Sequence, residues 1–234
     1  MPDHFQNIYE TQAAQYDALV SREDYQRNIL PALEEILPLS GLEVVEFGAG
    51  TGRLTRLLAP VVKSIRAYDA STHMLATAAE SLGQMGLVNW TVTQADNRKI
   101  PADDASADLA ISGWNFGHTV AWSPQTWKDD IGHMLDEMLR VVNPKGIMII
   151  LETLGTGSET PAPPTPGLAA YYNWLEETRN FALKWIRTDY QFASVGEGEQ
   201  LTRFFFGDAM ADRIAKEGLL TLPECTGIWW KKKG

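Results

Sequence analysis

The chain has 234 residues, 44% of them hydrophobic and 21% charged, which is the balance of a globular protein able to bury a sizeable core. A formal net charge of −10 leaves no basic face for nucleic acid, and the only strongly basic run is Lys231–Lys233. The single cysteine, Cys225, excludes an intrachain disulfide and a cysteine metal cluster, and no metal-ligand spacing joins the histidines to carboxylates. Met1–Asn7 lacks the basic-then-apolar pattern of a secretory signal, and no apolar run approaches the ~20 residues of a membrane helix. The expected setting is therefore cytoplasmic, with no nucleic acid and no membrane as partners.

In chain order, Phe5–Leu19 reads as one helix, and a second is expected from Arg22 to Leu37, kinked or split at Pro31. Val44–Phe47 is a short apolar run after Gly41 and predicts a buried strand, followed by Gly48, Gly50 and Gly52 and a helix to about Ala59. Val61–Tyr68 predicts the second strand, with Asp69 at its end, and Ser71 suits the N-cap of a helix through Leu82. Trp90–Gln94 and Asp108–Gly113 predict the third and fourth strands. Ser123-Pro124 is expected to open a long helix, Asn143–Gly146 to turn, and Ile147–Leu151 to form a fully apolar fifth strand. Alternating strands and helices imply a parallel sheet covered on both faces. Beyond a Pro-rich loop at Gly155–Gly167, a helix over Leu168–Leu183, a strand over Trp185–Ala193, a helix around Gln200–Lys216 and a strand over Thr226–Lys231 complete the pattern.

The glycine turn carries most of the functional information. A dinucleotide fingerprint needs a third glycine at the position held by Arg53, and a phosphate-binding P-loop needs a Gly-Lys pair that is absent. What remains is Glu46-Phe47-Gly48-Ala49-Gly50-Thr51-Gly52. This resembles the first motif of the class I S-adenosylmethionine-dependent methyltransferases. Asp69 follows Gly48 by 21 residues and begins Asp69-Ala70-Ser71 ahead of Met74-Leu75, similar to the family's second motif. Gln94-Ala95-Asp96-Asn97, the segment Asp104–Gly113, and Leu139–Gly146 resemble three further family segments in the right order. The likeness spans roughly residues 40–153 and looks most like the small-molecule branch that includes quinone-biosynthesis C-methyltransferases.

The resemblance implies an α/β fold. It is a Rossmann-like seven-stranded, mostly parallel sheet with helices on both faces, the last strand antiparallel, and an N-terminal helical cover. It implies one domain over residues 1–234, with the cover at 1–40, a cofactor-binding core at 41–153 and substrate-side helices and two strands at 154–234. The implied cofactor is S-adenosyl-L-methionine, leaving as S-adenosyl-L-homocysteine. Asp69 and Ala70 would meet its ribose, Met74, Asp96 and Asn97 its adenine, and Glu46, Gly48, Ala49 and Gly50 its methionyl part. Ser112 and Gly113 would close that site, and Tyr16 would reach the cofactor's carboxylate. His118 follows the fourth strand and is either a general base or a pocket wall. Trp114, Phe116, Tyr171, Tyr172 and Trp174 would surround a small, apolar or aromatic acceptor, or a cation held against ring faces, or else pack a helical lid. A homodimer is a candidate assembly. Transfer of another group from a related sulfonium, or cofactor binding without catalysis, stays open as an alternative.

Overall fold

The computed structural model describes residues 4–234, so the first three residues of Met1–Asn7 lie outside it. Five strands come first: β1 (Glu43–Phe47), β2 (Ser64–Asp69), β3 (Trp90–Gln94), β4 (Ala107–Gly113) and β5 (Val142–Thr156). β6 (Ala182–Arg187) follows, then the two-residue partners β7 (Tyr190–Gln191) and β8 (Thr221–Leu222), then β9 (Glu224–Lys232). Seven of these form one sheet in the order β3-β2-β1-β4-β5-β9-β6. The strands from β3 to β5 pair in parallel, and β9 runs antiparallel to both neighbours. The last long strand is antiparallel, as the resemblance implies.

Apolar runs become central strands here because both faces are covered. Successive side chains on a strand point to opposite faces. Val44, Leu109, Ile111, Ile149 and Leu151 therefore join one core with Ile29 and Leu33 of α3 (Ile29–Glu34) and Leu54 and Leu58 of α4 (Arg53–Leu58). Val45, Phe47, Ala110, Met148 and Ile150 face a second core with Ile131, Leu135 and Met138 of α7 (Trp127–Val141). Burying a Val, Leu or Ile side chain contributes about 1.5–3 kcal/mol, so these two layers supply the main stabilisation.

Several element boundaries differ from expectation, each for a local reason. The first helix divides at Gln12 into α1 (His4–Thr11) and α2 (Ala13–Val20). The second shrinks to α3, because Asp24 and Arg27 take left-handed backbone and the Asp24 carboxylate accepts from the Asn28 and Ile29 N–H groups. α5 (Thr72–Gln84) has the expected cap, Ser71 Oγ accepting from Met74 N at 3.2 Å. Ser123 ends α6 (Gly117–Trp122) instead of opening the long helix, which starts at Trp127. Asn143–Gly146 lies within β5 as a bulge: Ala107 pairs with Val142, but Leu109 pairs with Ile147. α8 (Pro166–Asn173) continues into a π-helical turn, Trp174–Thr178, and Leu183 belongs to β6. Gly207, with φ of +86°, separates α9 (Val195–Phe206) from α10 (Asp208–Glu217). Among the described residues, no helix is long and apolar enough to cross a membrane.

Candidate active site

Strand order reverses around β1, which lies between β2 and β4, and the crevice at such a switch point is where α/β sheets bind ligands. The carboxyl ends of β1, β2 and β4 deliver Gly48, Asp69 and Gly113 to a single cleft. The glycine turn is tight. Gly48 and Ala49 both donate to the Tyr68 carbonyl, at 2.8 and 2.9 Å. Gly48 and Gly50 have φ of +70° and +55°, and a Cβ on Gly48 would lie 2.1 Å from Asn115 Nδ2, so only glycine fits there.

Asp69 is held from two sides. Its Oδ2 accepts from Gly50 N and its Oδ1 from Ser71 N, both at 2.8 Å. Each oxygen keeps lone-pair capacity for a further donor, such as the two hydroxyls of a ribose. Burial raises its pKa against the pull of those N–H groups. Glu46, also on the cleft wall, accepts from Thr55 Oγ1 at 2.6 Å, and burial pushes its carboxyl up to about 8. Such a group is a ready partner for a ligand's ammonium.

Of the residues singled out in the sequence, Tyr16, Glu46, Gly48, Ala49 and Gly50 line this cleft. So do Asp69, Ala70, Met74, Asn97 and Gly113. Ser112 lies beneath it, fully buried, with its Oγ donating to the Phe47 carbonyl. Asp96 is exposed, and the Arg98 guanidinium occupies both of its oxygens, holding its carboxyl below the usual range. Its neighbour Asn97 lines the cleft and has a buried Oδ1 without a hydrogen-bond partner. The two spare oxygens of Asp69, the glycine turn and the Asn97 acceptor together fit the ribose, methionyl part and adenine of an adenosyl cofactor.

A larger cavity of about 630 Å³ adjoins the cleft. Tyr9, Tyr16, Arg53, Trp114, His118 and Trp122 line both spaces and form their common wall. His118 Nε2 lies 2.8 Å from the Tyr9 hydroxyl, and its ring stacks on Trp122 with centroids 5.1 Å apart. Arg53 lies 3.5 Å over the Trp114 ring and pairs with Glu23 at 2.7 Å.

The expected acceptor wall needs correction. Trp114 lines the cavity, but Phe116, Tyr171 and Tyr172 are buried in the core under α6 and α8. Tyr172 stacks on Trp229 and donates to the Thr153 carbonyl, while Trp174 packs against Trp127 at the edge of that core. These side chains pack the lid side of the sheet. Their places on the cavity wall are taken by Phe5, Tyr190, Phe205 and Phe206, from segments far apart in sequence. Glu23, Arg53, Glu152 and Glu224 also reach it. Glu152 carried a sequence signal, a lone acid directly after the apolar run Ile147–Leu151.

A family model described as a methyltransferase domain matches residues 44–146. An uncharacterized methyltransferase of Bacillus velezensis is 30% identical over 147 residues, 61% of this chain and 67% of that protein. A demethylmenaquinone methyltransferase of Bacillus cytotoxicus is 26% identical over 153 residues, 63% of this chain and 61% of that protein. The chain spans about half to two thirds of the length of such curated relatives. A solved S-adenosylmethionine-dependent methyltransferase from Aquifex aeolicus shares the fold, with a TM-score of 0.56 at 15% identity over 98% of both chains.

Proposed function

The chain belongs to the class I S-adenosylmethionine-dependent methyltransferases, and we propose that it methylates a small, apolar or aromatic organic acceptor bound in the cavity beside the cofactor cleft. The observation that carries this reading is the common wall: six residues line both spaces, so a molecule in one abuts a molecule in the other. When bound, the cofactor supplies a methyl group already activated on a positively charged sulfur. The protein's task is then alignment and exclusion of water.

In this reading Asp69 holds the ribose hydroxyls, Glu46 faces the ammonium, and Met74 packs on the adenine, where a thioether suits an aromatic face. Asn97 Oδ1 accepts from the adenine amino group in place of Asp96, whose oxygens Arg98 already holds. Tyr16, with its hydroxyl pushed up to about 12 by burial, stays protonated and donates toward the cofactor's carboxylate. His118 stands on the common wall, where it takes a proton from the acceptor if the acceptor must lose one. One buried, unpaired cysteine suits a reducing cytoplasm.

Calorimetric titration with S-adenosylmethionine, S-adenosylhomocysteine and NAD tests the assignment. The two sulfur compounds are expected to bind and NAD to stay silent; binding of NAD alone would overturn it. Once an acceptor is in hand, His118→Phe should keep the stacking on Trp122 and lower kcat about 10²-fold or more, with KM little changed. Unaltered turnover reduces His118 to a wall.

A further inference from the structure

The acceptor cavity has an unusual charge inventory for a pocket walled by rings. Three carboxylates reach it, from Glu23, Glu152 and Glu224, against one guanidinium, Arg53. Their exposures are only 9%, 4% and 1%, so none can rely on bulk water. Arg53 is already committed to Glu23 at 2.7 Å, which cancels one acid and leaves two.

Two of these acids are half-satisfied. Glu224 Oε1 accepts from Thr153 Oγ1 at 2.5 Å, while its buried Oε2 has no close hydrogen bond, the Thr156 hydroxyl lying beside the same carboxyl. Glu23 Oε2 accepts from Arg53, while its buried Oε1 has no close hydrogen bond, the Tyr190 hydroxyl lying beside that carboxyl. A buried acceptor left without a hydrogen bond is costly, more so when charged, and sequence change could remove that cost unless the site serves a ligand. Glu152 differs, since its Oε1 caps the backbone at Gly117 N at 2.8 Å. The Asn115 and Phe116 N–H groups face the same carboxyl, so Glu152 serves the backbone first.

Resting on the reading of this cavity as the acceptor site, we propose that the acceptor is an amine: an apolar or aromatic body against the ring wall, with a protonated nitrogen seated between Glu224 and Glu23. One proton of that nitrogen must pass to the neighbouring Glu224 carboxylate before the nitrogen has a lone pair to take a methyl group. Rings and carboxylates together are how proteins hold organic cations, the ring faces adding attraction through their quadrupoles. An anionic acceptor would have to displace Glu23 from Arg53 and then sit beside Glu224 and Glu152. A neutral acceptor would offer Glu152 and Glu224 no counter-charge and leave both protonated, whereas an ammonium pairs with the ionised form of the acid beside it.

Burial pushes Glu152 and Glu224 up to about 8, so both hold a proton near neutrality. The groups facing Glu224 are Glu23, which raises it further, and Arg53, Thr153 and Thr156, which lower it; Tyr172 and Tyr190 face it as well, both held neutral by burial. An arriving ammonium favours the ionised acid, so amine binding should release a proton.

The test uses the whole protein with saturating S-adenosylhomocysteine and three triads of ligands. Each triad carries one body (phenyl, indolyl or naphthyl) with an ethylamine, ethanol or acetate arm, titrated by calorimetry at pH 7. The amine is expected to bind at least tenfold more tightly than its alcohol, with the acetate weaker still. Its binding heat should vary with the buffer's ionisation enthalpy as proton release requires. Glu224→Gln should lower amine affinity tenfold or more, leave the alcohol within twofold, and abolish most of the released proton. Alcohols or acetates binding as well as the amines overturn the charge assignment while leaving the cavity as the acceptor site. Silence from every ligand, with S-adenosylhomocysteine still bound, overturns the acceptor-site reading and this inference with it.

Discussion

Asp69 is oriented and only partly satisfied at once by the turn around it. The N–H groups of Gly50 and Ser71 fix the carboxylate, one on each oxygen, and leave each oxygen capacity for a further donor. Asp69→Ala should weaken S-adenosylhomocysteine by one or two charge-assisted hydrogen bonds of about 1.5–3 kcal/mol each, tenfold or more by calorimetry. Unchanged affinity would remove the ribose role. Glu46 makes a different demand. Its ordinary value is 4.5 and its folded value about 8, so between these limits the folded chain holds a proton that the unfolded chain releases. Stability of the ligand-free protein therefore falls as pH rises from 5 to 8 and levels off above. Glu152 and Glu224 share that sign, whereas Asp96, Glu137 and Glu197, held low by arginines or N–H groups, lose stability only below about pH 4–5. Thermal melts from pH 5 to 8 should show a falling Tm whose slope flattens in Glu46→Gln. A Tm that climbs over that range would contradict the buried-acid account.

At the scale of elements, α5 joins the cofactor cleft to the N-terminal cover. Ser71 Oγ accepts from Met74 N at its first turn and donates to the Tyr9 carbonyl in α1. Ser71→Ala should cost about 0.5–2 kcal/mol as a lost cap, measured by urea denaturation, and loosen α1 as well. A variant as stable as wild type would show that neither bond matters. Caps and strands of this kind were legible because their signals are local: Ser71, the glycine turn and Asp69 lie within 24 residues of one another. Continuous apolar runs likewise marked β1, β4 and β5, since both sheet faces are buried. Helix limits were harder, because Gln12, Asp24 and Gly207 break helices through backbone geometry that periodicity does not encode. The large cavity was hardest. Glu23, Arg53, Glu152 and Glu224 come from a turn, a helix and two strands, and only the tertiary fold brings them to one wall. Tyr171 and Tyr172 illustrate the converse, since aromatic content cannot say whether a ring lines a cavity or fills a core.

At the scale of the molecule, the seven-stranded sheet does not include the segment that closes the site. α1 and α2 cross the mouth and place Phe5, Tyr9, Tyr16 and Val20 on the cavity wall. They are fastened by polar contacts: Ala13 N to His73 Nε2 at 3.2 Å, Asp17 to Arg56 at 2.6 Å, and, in the turn that follows, Arg22 to Glu197 at 2.7 Å. Exposed or partly exposed ion pairs contribute at most about 1 kcal/mol each, and of residues 4–20 only Ile8, Ala13, Leu19 and Val20 are buried whereas most of β4 is, so opening the cover costs less than unfolding the sheet. Such a cover lets ligands enter and then shuts out the water that would compete for a sulfonium's methyl group. Hydrogen exchange should therefore find amides of residues 4–20 exchanging much faster than those of β4 in the ligand-free protein. Saturating S-adenosylhomocysteine should slow the cover several-fold, because a bound ligand holds Tyr9 and Tyr16 against the cleft and blocks local opening. If β4 slows through ligand stabilisation of the native state while the cover keeps its original rate, the cover is not part of the binding site. Closure by α1 and α2 would then have to be abandoned, even with the cofactor assignment intact.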